Sequence, residues 1–99
     1  MADAIVHVVA RLVPRPGKAE ALAAAIQAIL PQVRSEPGCL AYYPHESCET
    51  RDVIVMVEAW ADQAALDTHA GAPAFTALSA RFGELLDEPP VIERLRRIG

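Results

Sequence analysis

Residues 4–13 open the chain with strand alternation rich in Val and Ile. Val6, Val8, Ala10 and Leu12 form a wholly apolar face, and Ile5, His7, Val9, Arg11 and Val13 a mixed one. The apolar face is expected under helices, the mixed one against solvent or a partner sheet. Pro14-Arg15-Pro16-Gly17 stops the strand. The spacing then predicts a helix over 18–35, with Leu22, Ile26, Ile29, Leu30 and Val33 on one buried stripe. Pro31 removes a backbone donor and is expected to kink the helix or loosen its last turn, and Pro37-Gly38 ends it. A second strand is predicted over 39–48, a turn at Thr50-Arg51-Asp52, and a third strand over 53–60. Its run Val53-Ile54-Val55-Met56-Val57 is apolar at every position, which points to burial on both faces. Asp62 is a candidate N-cap for a helix from Gln63 to His69 or Ala70. Gly71-Ala72-Pro73 breaks it, and a helix over 74–86 carries Phe75, Leu78, Phe82 and Leu85 on one side. Pro89-Pro90 lead into a last strand over 91–98.

The order β-α-β-β-α-β is that of an α+β, ferredoxin-like fold: a four-stranded antiparallel sheet with helices on one face. Such a sheet leaves its second face bare. Because the third strand is apolar on both sides, a second copy of the same sheet is the expected cover. Composition agrees: 53% of residues are hydrophobic and the mean hydropathy is +0.19, high for a 99-residue chain with so much surface, so part of the apolar surface is expected in a homo-oligomer.

The length corresponds to one domain, residues 1–99. A net charge of −4 disfavours nucleic acid as a partner. The basic cluster Arg94, Arg96 and Arg97, beside Glu93, reads as a solvated strand end. No segment approaches the length of apolar sequence that a membrane span needs. Met1-Ala2-Asp3 lacks the basic start of a signal peptide, so a cytoplasmic location is expected. Cys39 and Cys48 fall at opposite ends of one predicted strand, on the order of 30 Å apart, beyond disulfide reach. Reduced thiols are expected, with Cys39 packed rather than reactive.

Candidate chemistry is sparse. His69 follows Ala65 and Leu66 at helical spacing and points inward with them, as a histidine bonded to backbone or as a functional base. Trp60 ends the third strand, as a core anchor or as a face on which a flat ring stacks. Glu58 shares its face, and a buried carboxylate needs a partner. Arg11 is one candidate, in a structural ion pair within the chain or across the dimer. Tyr42 and Tyr43 lie on opposite faces of the second strand, so only one can reach a pocket beneath the sheet. Phe75 lines pocket or core, His7 belongs to the outer face, and His45 is exposed near a strand end. The three histidines show no spacing that argues for a metal site, and no metal is expected.

Taken in order, several of these pieces resemble the antibiotic biosynthesis monooxygenase family, and within it the bacterial quinol monooxygenases. They are Arg15-Pro16-Gly17, Glu36-Pro37-Gly38-Cys39, Tyr42 with Pro44, Ile54-Val55-Met56-Val57-Glu58-Ala59-Trp60, Ala65-Leu66-Asp67-Thr68-His69, Pro73 and Phe75. The resemblance implies a homodimer, a dimeric α+β barrel with two sheets face to face and a pocket in each subunit between sheet and helices. It implies oxygenation of a quinol or polyphenol by dioxygen with no cofactor. His69 would be the base, a role that suits histidine at neutral pH. Tyr42, Trp60, Phe75 and Val8 would hold the substrate, with Tyr43 an alternative to Tyr42. The haem-degrading branch of this fold carries an Asn, a Trp and a His where Ala10, His69 and Ser79 stand, so haem chemistry is not expected. A cofactor-free isomerase or tautomerase of a small carbonyl compound, and a non-catalytic dimeric ligand-binding module, are the alternatives.

Overall fold

A computed structural model describes residues 4–99; the Met1-Ala2-Asp3 reading lies outside them. The strands are β1 (Val6–Leu12), β2 (Cys39–Glu46), β3 (Ile54–Trp60) and β4 (Val91–Leu95). They form one antiparallel sheet in the order β2-β3-β1-β4. The helices are α1 (Ala19–Arg34), α2 (Gln63–Gly71), α3 (Pro73–Ser79) and α4 (Phe82–Leu85). This is the α+β, ferredoxin-like arrangement expected from the element order.

Alternation along β1 and β3 builds the core. Val8, Ala10 and Leu12 stand opposite Glu58, Met56 and Ile54, and all six are buried on one face. Leu22, Ile26 and Val33 of α1 and Leu78 and Leu85 complete the core cluster. The predicted stripe of α1 is correct, and the helix runs through Pro31, which sits exposed in its last turns.

Three expectations need correction. The helix expected over 74–86 is two helices: Ala80 and Arg81 keep right-handed dihedrals, but the ladder tightens there, the Arg81 N–H donating to the Leu78 carbonyl, and the chain turns extended at Leu86. Leu86 bridges to Pro14, and consecutive Leu85 and Leu86 are thereby both enclosed. The last strand stops at Leu95 rather than Ile98. Among the described residues it pairs with β1, and that pairing ends at His7↔Leu95. The third-strand run is not buried on both faces within one chain. Ile54 and Met56 are buried, but Val57 lies 43% exposed on the opposite face beside Tyr43. The two cysteines are free, as expected: Cys39 is half-buried and Cys48 exposed.

The turn joining α1 to β2 depends on a glycine. Gly38 has φ +81°, and a Cβ there would lie 2.5 Å from the Cβ of Ala65 on α2. Gly17 has nearly the same φ, +80°, with open space around it. Gly17→Ala is therefore expected to lose only the backbone contribution, roughly 1–2 kcal/mol. Gly38→Ala adds overpacking against α2 and should lose about 2–4 kcal/mol. Urea unfolding of both variants checks this; equal losses would contradict the close approach.

Candidate active site

Strand register sets one row of side chains across the sheet. Tyr42 of β2 pairs with Glu58 of β3, Glu58 with Val8 of β1, and Val8 with Arg94 of β4. The row looks toward the helices, since Tyr42, Glu58 and Val8 are all buried there. Two residues beyond Glu58 on the same face, the Trp60 indole Nε1–H donates to Glu58 Oε1 at 3.0 Å.

The helix above this row starts where Asp62 caps it, its Oδ1 accepting from the Ala65 backbone N–H at 2.8 Å. That start places His69 in the last turn, 5% exposed, with its ring stacked on Trp60 at 4.4 Å and 30°. Tyr42 meets the imidazole edge-on at 5.4 Å, and Phe75 of α3 closes the other side at 5.2 Å. His69 Nδ1 lies 2.8 Å from Glu36 Oε1, on the chain segment that ends α1.

The pair decides the tautomer. A carboxylate only accepts, so the shared hydrogen sits on Nδ1 and the neutral imidazole carries its lone pair on Nε2. Nε2 makes no hydrogen bond to the described protein. Among the described residues, no fully enclosed side-chain nitrogen or oxygen lacks a partner. Nε2 is therefore not sealed in, and His69 borders a hollow on the helix side of the sheet. That hollow, about 320 Å³, is lined by Val8, Leu66, Phe75 and Ile92 with Glu58 and His69 on its wall. Its size is at the lower end of small-ligand pockets, roughly 300–1,000 Å³. At the mouth, Gln63 accepts from Arg94 Nη1 at 2.9 Å and donates to Asp67 at 2.8 Å, tying α2 to the edge strand. A smaller hollow of about 30 Å³ adjoins it, where Tyr42 meets Glu58 and Phe75.

Burial pushes the Glu58 carboxyl up from the ordinary carboxylate range, against the opposing pull of the Trp60 N–H and of His69. Burial, then the nearby Glu58 and Glu36, hold the Tyr42 phenol well above its ordinary value, so it stays protonated. The Glu58 shift has a stability consequence. A carboxyl raised in the folded state favours folding fully below its unfolded value, and that contribution is lost as pH rises through the folded value. Glu58→Gln keeps an acceptor for Trp60 and cannot ionise. The melting temperature of the native protein is thus expected to fall relative to Glu58→Gln as pH is raised from 4.5 through neutrality. A difference that does not change with pH would contradict it.

The structure sorts the residues named from sequence. His69, Val8 and Phe75 border the main hollow, and Tyr42 borders the smaller one. Trp60 is fully enclosed, so it offers no face to a ligand; it forms the floor under the imidazole. Tyr43 is 52% exposed on the far face, under the guanidinium of Arg34. The expected Glu58–Arg11 pair does not form within the chain. Arg11 lies on the opposite face and pairs with Glu88 at 3.7 Å, while Glu58 is held by Trp60. His69 is bonded to a carboxylate rather than to backbone. His45 is exposed, its Nδ1 3.0 Å from the Tyr43 carbonyl oxygen. His7 borders a wider hollow of about 470 Å³ on the far face, with Val9, Val57, Leu95 and Ile98. Ser79 donates to the Thr76 carbonyl. Among the described residues no three His, Cys, Asp or Glu side chains converge to hold a metal ion, and no helix is long and apolar enough to cross a membrane. Sequence reading did not assign Glu36, Gln63, Ile92 or Arg94 to the site; only Glu36 had a signal, its place in the Glu36-Pro37-Gly38 turn.

Fold and site together define a small α+β protein with a histidine–carboxylate pair under its sheet, and the chain belongs to the antibiotic biosynthesis monooxygenase family, whose model matches residues 5–81. Rv0793 of Mycobacterium tuberculosis, named provisionally as a monooxygenase, is 37% identical over 87 residues, spanning 88% of this chain and 85% of that protein. Its structure superposes with a TM-score of 0.90 at 35% identity over 96% of each chain. PA3566 of Pseudomonas aeruginosa superposes with a TM-score of 0.91 at 30% identity, covering 100% of this chain and 99% of that one.

Proposed function

We propose that the protein is a cofactor-independent monooxygenase of a quinol or polyphenol. The observation that carries this reading is the imidazole clamped through Nδ1 by Glu36, on a histidine that borders a largely apolar hollow. Val8, Leu66, Phe75 and Ile92 accept the flat ring, and its hydroxyl faces Nε2. Nε2 takes the hydroxyl proton, and Glu36 stabilises the imidazolium that forms. The quinolate is electron-rich enough to reduce dioxygen itself, and the apolar side chains of the hollow orient its ring. The substrate supplies both electrons, and a peroxide intermediate collapses to a quinone or a hydroxylated product. Membership of a monooxygenase family supports the oxygen chemistry; the hollow supports the substrate class.

The same reading takes the chain as a homodimer. Tyr43, Val57, Val91 and Leu95 leave an apolar outer face of the kind a second sheet covers.

The test is oxygen uptake by the purified, metal-free protein with menadiol. Uptake above the uncatalysed background is expected. Uptake equal to background with menadiol and with other quinols would remove the reading.

A further inference from the structure

The mechanism above uses one base, yet oxygen insertion also needs an acid. If the proposed function holds, dioxygen must lose one of its oxygen atoms as water, and that oxygen departs only when protonated. One buried carboxyl is unassigned. Glu58 is 7% exposed, lies between Tyr42 and Val8 in the cross-sheet row, and borders both the main and the smaller hollow. Its Oε1 is fixed by the Trp60 N–H. Its Oε2 has no protein partner, and no fully enclosed side-chain oxygen among the described residues is without one. Oε2 is therefore not sealed in, and the main hollow is one of three that Glu58 borders, the others being the smaller one and the wider one beside His7. The indole that holds Glu58 is the one on which His69 stacks, so both groups are set by one rigid ring.

We infer that Glu58 is a second catalytic residue, the general acid that protonates the departing oxygen and commits the peroxide to hydroxylation rather than release. His69 Nε2 first takes the substrate hydroxyl proton. The quinolate passes its electron pair to dioxygen, and a C–O bond forms at a ring carbon bearing hydrogen. The imidazolium returns its proton to the peroxide, giving a ring hydroperoxide. Glu58 then gives its proton to the distal oxygen, which leaves as water with the O–O electron pair. The ring C–H pair becomes the new C=O bond, and the released ring proton restores the Glu58 acid. The sum is quinol plus dioxygen to hydroxyquinone plus water. Without the acid, the C–O bond breaks instead, and the products are quinone and hydrogen peroxide.

The groups around Glu58 leave it this role. From β2 Tyr42 and Cys39 lie near it, from β3 Trp60 and from α2 His69; Glu36 lies near Tyr42 and Cys39, and Arg94 of β4 lines the same hollow. Glu36 is engaged by His69, and burial raises both the Tyr42 phenol and the Cys39 thiol. Burial also raises the Glu58 carboxyl above the ordinary carboxylate range, against the Trp60 N–H and His69.

The experiment measures hydrogen peroxide released per dioxygen consumed with menadiol, for the full chain and for Glu58→Gln and Glu58→Asp. The native ratio is expected well below one, rising toward one in Glu58→Gln, with Glu58→Asp between. Fluorescence of Trp60, the single tryptophan, verifies that each variant is folded around the site. A folded Glu58→Gln with the native ratio, or a native ratio already at one, overturns the assignment of Glu58 and leaves the oxygenase reading standing. No uptake by the native protein removes the oxygenase reading and this inference with it.

Discussion

His69→Ala is expected to lower oxygen uptake with menadiol by about 100- to 10,000-fold, the range a positioned general base supplies. The imidazole is the neutral nitrogen base bordering the hollow: Glu36 holds its Nδ1, and Tyr42 stays protonated. Removing the ring also opens a void against Trp60 and Phe75, so some lost activity could reflect loosened packing. His69→Gln fills more of that space and supplies no comparable base. It should lose nearly as much activity while unfolding closer to the native temperature. Added imidazole should restore part of the rate in His69→Ala, because the hollow is open to small solutes. A His69→Ala variant with native uptake would end the mechanism.

Glu36→Gln is expected to reduce uptake on the order of 100-fold, as misplacement of a reacting group does. The carboxylate both orients the ring and stabilises the imidazolium. An amide does neither reliably, because its NH2 end can face Nδ1 and drive the ring hydrogen to Nε2, where the lone pair is needed. The loss should fall mainly on kcat, since Glu36 lies behind the imidazole and does not line the hollow. A change confined to KM would place Glu36 in substrate binding instead.

Much of this architecture was legible because local chemistry marks it. Alternation in β1 named the core residues Val8, Ala10 and Leu12, and Asp62 announced the start of the helix that carries His69. The inward direction of His69 followed from its spacing to Ala65 and Leu66. Less legible were features set by partners distant in sequence. Glu36 and His69 are 33 residues apart, and only docking of the Gly38 turn onto Ala65 brings them together. The Arg11–Glu58 error has a similar origin. Each strand's two faces can be read alone, but which face of one strand matches which face of another depends on register, and Glu58 pairs with Val8. The extended turn at Leu86, where the helical stretch ends, likewise goes with a partner distant in sequence, Pro14.

The central claim is that the imidazole of His69 is held through Nδ1 and presents a bare Nε2 to a ring-binding hollow. Nitrogen-15 NMR of the labelled histidine ring reads this directly. The expected result is a protonated Nδ1 and an unprotonated Nε2 in the free protein, with the Nε2 signal shifting on addition of a monohydric phenol. A hydrogen on Nε2, or an Nε2 signal indifferent to the phenol at saturating concentration, would contradict it.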